Sequence, residues 1–81
     1  MDSAFPRTLH IQGTEVYHAP TQRSVGIWID GAHVAINLVR GTVTVHQDQV
    51  YTVVNVTVAE FVENHPLGRL VHQVLDVLGE S

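Results

Sequence analysis

Residues 25–46 read VGIWIDGAHVAINLVRGTVTVH, and two short turns divide this stretch into three runs of alternating side chains. Asp30-Gly31 between alternating apolar runs is the strongest short-range signal of a β-hairpin, because a two-residue type I′ turn needs positive φ at both central positions. Arg40-Gly41 is a weaker signal, since arginine is strained at positive φ. The stretch therefore predicts three consecutive antiparallel strands.

The two turns also predict which residues face one another, since a two-residue hairpin loop pairs residue i with residue i+3. This register places His46 opposite Ala35, so that His46 is diagonal to His33 on the neighbouring strand. The predicted pairs are Ile29 with Ala32, Trp28 with His33, Ile27 with Val34, Val39 with Thr42, Leu38 with Val43 and Ile36 with Val45.

Shorter elements are expected on both sides of this stretch. Thr8–Ile11 and Thr14–His18 are candidate strands around Gln12-Gly13, which forms either a hairpin turn or a glycine bulge within one strand. After a polar turn, Val50–Val56 is the last predicted strand.

A helical segment is expected after the last strand. Thr57 and Glu60 have the spacing of a capping box, and this predicts a short helix to about Asn64. Pro66 suits the start of a second helical stretch, which Gly79 ends. Apolar residues recur at helical spacing in that stretch, namely Leu67, Leu70, Val71, Val74, Val77 and Leu78.

These elements together predict an α+β fold. We expect an antiparallel β-meander of four to six strands, with one face covered by a C-terminal helical segment bent at Pro66. Residues 8–81 form a single domain in this interpretation, and residues 1–7 form a flexible N-terminus.

Alternation of side chains gives the predicted sheet two different faces. One is almost entirely aliphatic and needs the helical stripe as its cover; it carries Val25, Ile27, Ile29, Ala32, Val34, Ile36, Leu38, Val43 and Val45, followed by Val50, Thr52, Val54 and Val56. The opposite face has no charge in these strands but has aromatic, histidine and asparagine side chains. It carries Gly26, Trp28, His33, Ala35, Asn37, Val39, Thr42, Thr44 and His46, followed by Tyr51, Val53 and Asn55.

Composition excludes several classes of partner. Only 15% of the 81 residues are charged, the net charge is −4, and the only basic residues besides histidine are four scattered arginines. A nucleic-acid or anionic-membrane binder needs clustered cations, so neither partner is expected. The chain has no cysteine, its opening residues do not resemble a signal peptide, and no apolar run is long enough to span a membrane, which favours a cytoplasmic protein.

No motif predicts catalysis or a cofactor. No nucleophile motif or phosphate-binding loop is present. Six acidic residues fall in predicted turns, caps and the helix exterior, namely Asp30, Asp48, Glu60, Glu63, Asp76 and Glu80. His33 and His46 share a face, but a metal site needs at least a third ligand. We therefore predict no catalytic residue, no metal site and no cofactor.

Depletion of charge together with tryptophan and tyrosine is typical of the core of a protein interface. We therefore predict a small non-catalytic module that self-associates, or binds and modulates another protein, such as an inhibitor or accessory protein encoded by a phage or mobile element. The alternatives are a small enzyme or metal- or ligand-binding protein that uses His33 and His46, a structural subunit of an assembly such as a virion, and a face that the N-terminal strands themselves cover. The predicted partner-binding residues are Trp28, His33, Asn37, Thr44, His46, Tyr51 and Asn55.

Overall fold

The computed structural model describes residues 6–29, 31–47 and 56–80. Six antiparallel strands lie in the sheet in chain order, and two helices follow. The strands are β1 (Arg7–Ile11), β2 (Thr14–Ala19), β3 (Ser24–Ile29), β4 (Ala32–Asn37), β5 (Thr42–Gln47) and β6 (Val56–Thr57), and the helices are α1 (Val58–Asn64) and α2 (Gly68–Leu78). The α+β meander with C-terminal helices is thus confirmed. Most of the predicted last strand, 50–56, lies outside the described residues.

The first hairpin answers the question that the sequence left open. Gln12 and Gly13 both have positive φ, as a two-residue type I′ turn requires, and β1 pairs with β2 from Ile11–Thr14 to Arg7–His18. β2 in turn pairs with β3. The N-terminal strands therefore extend the sheet sideways, and they do not cover its second face.

The β3–β4 hairpin has the predicted register. Ile29 faces Ala32, Trp28 faces His33 and Ile27 faces Val34. Asp30 lies outside the described residues, while Gly31 has the positive φ that the turn needs.

The predicted register of β4 and β5 is wrong by two residues. Asn37 faces Thr42 and Ile36 faces Val43, so residues 38–41 form a four-residue loop and Val39 leaves the strand. The Asn37 side-chain oxygen accepts hydrogen bonds from the backbone N–H groups of Val39 (3.0 Å) and Arg40 (3.1 Å). Within this loop only Gly41 has positive φ, so Arg40 avoids the strain of the two-residue turn. Because the side-chain period of a strand is two, this shift leaves every face assignment within the strands intact.

The core lies between the sheet and the two helices. Its largest fully buried side chains are Phe61, Ile27 and Ile36. Burial of each such side chain contributes about 1.5–3 kcal/mol before entropy is counted. The buried cluster comprises Ile11, Val16, Val25, Ile27, Val34, Ile36, Val43, Val45, Phe61, Val71, Val74 and Leu75.

The start of α1 and the end of α2 are formed by the residues that the sequence predicted. The Thr57 hydroxyl accepts from the Glu60 N–H (3.2 Å) and also donates to the Glu60 carboxylate (3.1 Å), which caps α1. Gly79 adopts the left-handed conformation that ends α2. The second helix begins at Gly68, two residues after Pro66. Its buried stripe includes Leu75, which the sequence pattern left out, whereas Val77 is exposed.

Candidate functional site: the helix-free face of the sheet

The two described helices pack on one side of the sheet, and the side chains on the other side form what we call the helix-free face. Strand alternation and the observed pairing assign its members. They are Thr8 and His10 of β1, Glu15, Tyr17 and Ala19 of β2, Ser24, Gly26 and Trp28 of β3, His33, Ala35 and Asn37 of β4, and Thr42, Thr44 and His46 of β5. The face predicted for β3, β4 and β5 is therefore present, apart from Val39.

Three aromatic rings stand in a row across this face, one residue pair from the turn end of the β3–β4 hairpin. Trp28 stacks on His33 with ring centroids 4.6 Å apart and planes at 22°, and His33 stacks on His46 at 6.1 Å and 19°. His33 and His46 are directly opposite each other, so the predicted diagonal relation was wrong, for the same reason that the β4–β5 register was wrong. The row is continuous over β3, β4 and β5.

The tryptophan is exposed but held in place. Trp28 keeps 44% of its surface accessible, although it lies within a strand in the interior of the sheet. A Cβ atom at Gly26 would lie 3.3 Å from the Trp28 six-membered ring and 3.2 Å from the His33 Nε2 atom. The absence of a side chain at Gly26 thus lets the indole lean over the backbone against His33.

Burial and the neighbouring imidazole both act on His33. Desolvation of the half-buried ring, followed by the charge that His46 would carry, lowers the pKa of His33 below its ordinary value. The neutral ring, which the stack favours, is therefore the form that His33 keeps at neutral pH.

The row continues onto β2 with a carboxylate that the sequence interpretation did not place there. Glu15 faces Trp28 on one side and His10 on the other. The expectation of an uncharged face is therefore wrong once β2 is included. Pairing across the Gln12-Gly13 turn puts Glu15 opposite His10, whereas its position opposite Trp28 depends on the loop between Ala19 and Ser24.

The remaining predicted site residues differ in their positions and contacts. Asn37 uses its side-chain oxygen in the β4–β5 loop, so the structure gives this residue a role in the turn. Thr44 is half-buried beside Ala35, next to the aromatic row. Tyr51 and Asn55 lie outside the described residues. The candidate site therefore centres on Trp28, His33 and His46.

A second polar cluster lies on the helix side of the sheet. His18 is buried, and its Nε2 donates to the Glu80 carboxylate at 3.1 Å. Arg23 Nη1 donates to the other carboxylate oxygen at 2.9 Å. Glu80 reaches both because the backbone N–H of Glu80 bonds to the Leu75 carbonyl, in the Schellman motif that ends α2. The cluster fastens the end of α2 to β2 and to the β2–β3 loop.

The Glu80 cluster predicts acid sensitivity. Hydrogen bonding from His18, followed by Arg23, lowers the pKa of Glu80, so its stabilising contribution is present above the ordinary value of 4.5 and is lost as the pH falls through the lower folded-state pKa. We expect Glu80→Gln to lower the free energy of unfolding at pH 7 by about 1.5 kcal/mol. The difference from wild type should shrink as the pH is lowered, in denaturant titrations from pH 7 to pH 3.

Glu63→Gln is the matched control for this prediction. It removes the same charge from an exposed position on α1, where it should change stability by less than about 0.5 kcal/mol. An equal loss in both variants, or a Glu80→Gln loss that persists in acid, would contradict the role given to Glu80.

The described ranges contain no assembled metal site. No three histidine, cysteine, aspartate or glutamate side chains among those residues converge on a point that could hold a metal ion. His33 and His46 form a pair without a third ligand from the described part of the chain. What this arrangement offers chemically is a flat, rigid aromatic platform with one carboxylate at its edge.

Comparison with protein-family models, with curated proteins and with solved structures found no match for this chain. Neither helix in residues 6–29, 31–47 and 56–80 combines the length and apolar character needed to cross a bilayer. The geometry of the helix-free face is therefore the basis on which a function can be proposed for this chain.

Proposed function

We propose that this chain is a non-catalytic protein-interaction module and that the helix-free face is its binding surface. The single observation that supports this proposal most is the exposed Trp28, stacked on His33 in the interior of a rigid sheet. Tryptophan is the residue most enriched among those that dominate binding energy. A side chain already fixed in its rotamer loses little conformational entropy when a partner covers it.

The surroundings of Trp28 support the same proposal. His33 and His46 present half-buried rings beside it, and Ala35 and Thr44 make the neighbouring positions small. A sheet face made for contact with water alone carries charged and polar side chains in alternation with the core. Here a protein partner would cover apolar ring surface and leave Glu15 at the rim of the contact.

Replacement of Trp28 by alanine tests this function. We expect Trp28→Ala to weaken self-association, or binding to a captured partner, by about 2 kcal/mol or more, which is about thirtyfold in the dissociation constant. Sedimentation velocity over a concentration series measures self-association, and binding to the immobilised chain measures a partner.

Val77→Ala provides the control, because Val77 is 64% exposed on α2, away from the helix-free face. This variant should bind like the wild type. Association that Trp28→Ala leaves unchanged, or that both variants lose equally, would overturn the assignment of the face.

A further inference from the structure

We infer that the occupant of the helix-free face is a second copy of this chain, related by a two-fold axis that runs along the strands between β3 and β4. In this arrangement Glu15 of each copy contacts the partner's His46, and Trp28 contacts the partner's His33. The inference rests on the proposed function and names the partner for that same face.

The order of side chains in the row carries the argument. Glu15, Trp28, His33 and His46 stand opposite one another on four consecutive strands, β2 to β5. Neighbouring strands lie about 4.8 Å apart, so Glu15 and His46 of one chain are separated by about 14 Å across the sheet. Glu15 and His46 are therefore too far apart to pair within one chain, in which the imidazole that faces Glu15 is that of His10.

A face-to-face dimer reverses this order. In an isologous contact both copies use the same surface, and an in-plane two-fold axis parallel to the strands places the row of one copy on the reversed row of the other. With the axis between β3 and β4, carboxylate lies against imidazole at both ends and indole lies against imidazole in the middle. The row is thus complementary to its own reversed copy.

Other positions of the axis give poorer matches. An axis through β3 would place Glu15 against the partner's His33, but it would also place the two copies of Trp28 against each other and His10 against the partner's His46. An axis through β4 would oppose the two copies of His33. The position between β3 and β4 also divides the sheet into three strands on each side, which gives the largest overlap of the two faces. Charge order and overlap therefore select the same axis.

The contact agrees with the known distance between packed sheets and with the reach and hydrogen-bonding capacity of the glutamate and histidine side chains. Sheets stack about 10 Å apart with strands within about 30° of each other, a distance that glutamate and histidine side chains can bridge together. An imidazole has two ring nitrogens, so His46 can donate to the partner's Glu15 in addition to any contact inside its own chain. Two copies would form a sandwich with the helices on its outer sides.

Charge reversal at the two ends of the row tests the arrangement. A Glu15→Arg homodimer would oppose arginine and histidine, and a His46→Glu homodimer would oppose two glutamates, so each variant alone should dimerise at least about tenfold more weakly than wild type. Mixed in equal amounts, the two variants place arginine against glutamate at one contact and keep the original pair at the other. We expect a one-to-one heterodimer with affinity within about threefold of the wild type.

Sedimentation velocity and native mass spectrometry separate these species, and thermal denaturation of each variant checks that it folds. If a variant does not fold, cross-linking between cysteine variants tests the arrangement instead. The chain has no cysteine, so Glu15→Cys and His46→Cys each provide a single thiol for a short bis-maleimide. The mixture should cross-link far faster than Glu15→Cys alone, whose two thiols would lie about 14 Å apart sideways.

The outcomes distinguish this inference from the proposed function. A wild-type chain that stays monomeric to about 1 mM overturns the inference, as does a mixture that neither heterodimerises nor cross-links preferentially. If association is lost in Trp28→Ala but the mixture shows no recovery, the two-fold arrangement is wrong and the binding face still stands. If association is unaffected by Trp28→Ala, both are wrong.

Discussion

Replacement of Gly68 by alanine is expected to destabilise the fold by about 3 kcal/mol, although alanine is the better helix former by about 1 kcal/mol. A Cβ atom at this position would lie 2.5 Å from the backbone oxygens of both Phe61 and Val62 and 2.7 Å from the Val62 Cα. These atoms belong to the backbone of α1, so the two helices would have to separate. The melting temperature should fall by about 12–24 °C, measured by circular dichroism.

Gly13→Ala is the control for the Gly68 prediction. Gly13 has positive φ, but nothing lies within 4 Å of the position that a Cβ would take. The free energy of unfolding should therefore fall only by the cost of the backbone strain that alanine introduces, about 1–2 kcal/mol. A Gly68→Ala chain as stable as wild type would show that the close approach of the helices is not required for the fold.

Phe61→Ala is expected to lower the free energy of unfolding by about 3–5 kcal/mol. Phe61 heads the set of largest fully buried side chains, and it also stacks on His65 with centroids 4.3 Å apart. A domain of this size has a total stability of about 4–12 kcal/mol. The loss is a large fraction of this total, so we expect the midpoint of unfolding to move to a much lower urea concentration, as judged by urea titration with near-ultraviolet circular dichroism.

Phe61→Leu separates packing from simple apolar burial. Leucine keeps most of the buried apolar surface but loses the ring contact with His65, so this variant should lose less than half of what Phe61→Ala loses. A loss of equal size in both variants would indicate that the aromatic shape, and not the apolar volume, is required at this position.

The hairpins show which parts of the fold a local pattern predicts. Asp30-Gly31 predicted the β3–β4 register correctly because few alternatives satisfy its backbone requirements. The Arg40-Gly41 turn was predicted two residues too short, because the side chain of Asn37 offers the backbone other hydrogen bonds and Leu38 packs against the core. The Thr57 cap of α1 and the Gly79 cap of α2 were predicted because the residues that signal each cap lie within a few positions of it in the sequence.

The candidate site was predicted less completely, for reasons of distance along the chain. Trp28 and His33 followed from one hairpin, whereas the direct opposition of His33 and His46 depended on the next loop. Glu15 joined the row only through the β2–β3 hairpin, for which the polar loop gave no register. The contact of His18 with Glu80 joins residues 62 positions apart, and no local pattern carries information on such a pair.

The position of Trp28 has a practical consequence, because it is the sole tryptophan of the chain. Indole emission from this protein therefore comes from the middle of the helix-free face alone. Since the indole is partly in water and rests on an imidazole, any molecule that covers it will change the emission wavelength and the quenching. The chain thus carries its own optical sensor at the surface where occupancy needs to be detected, and no label has to be attached.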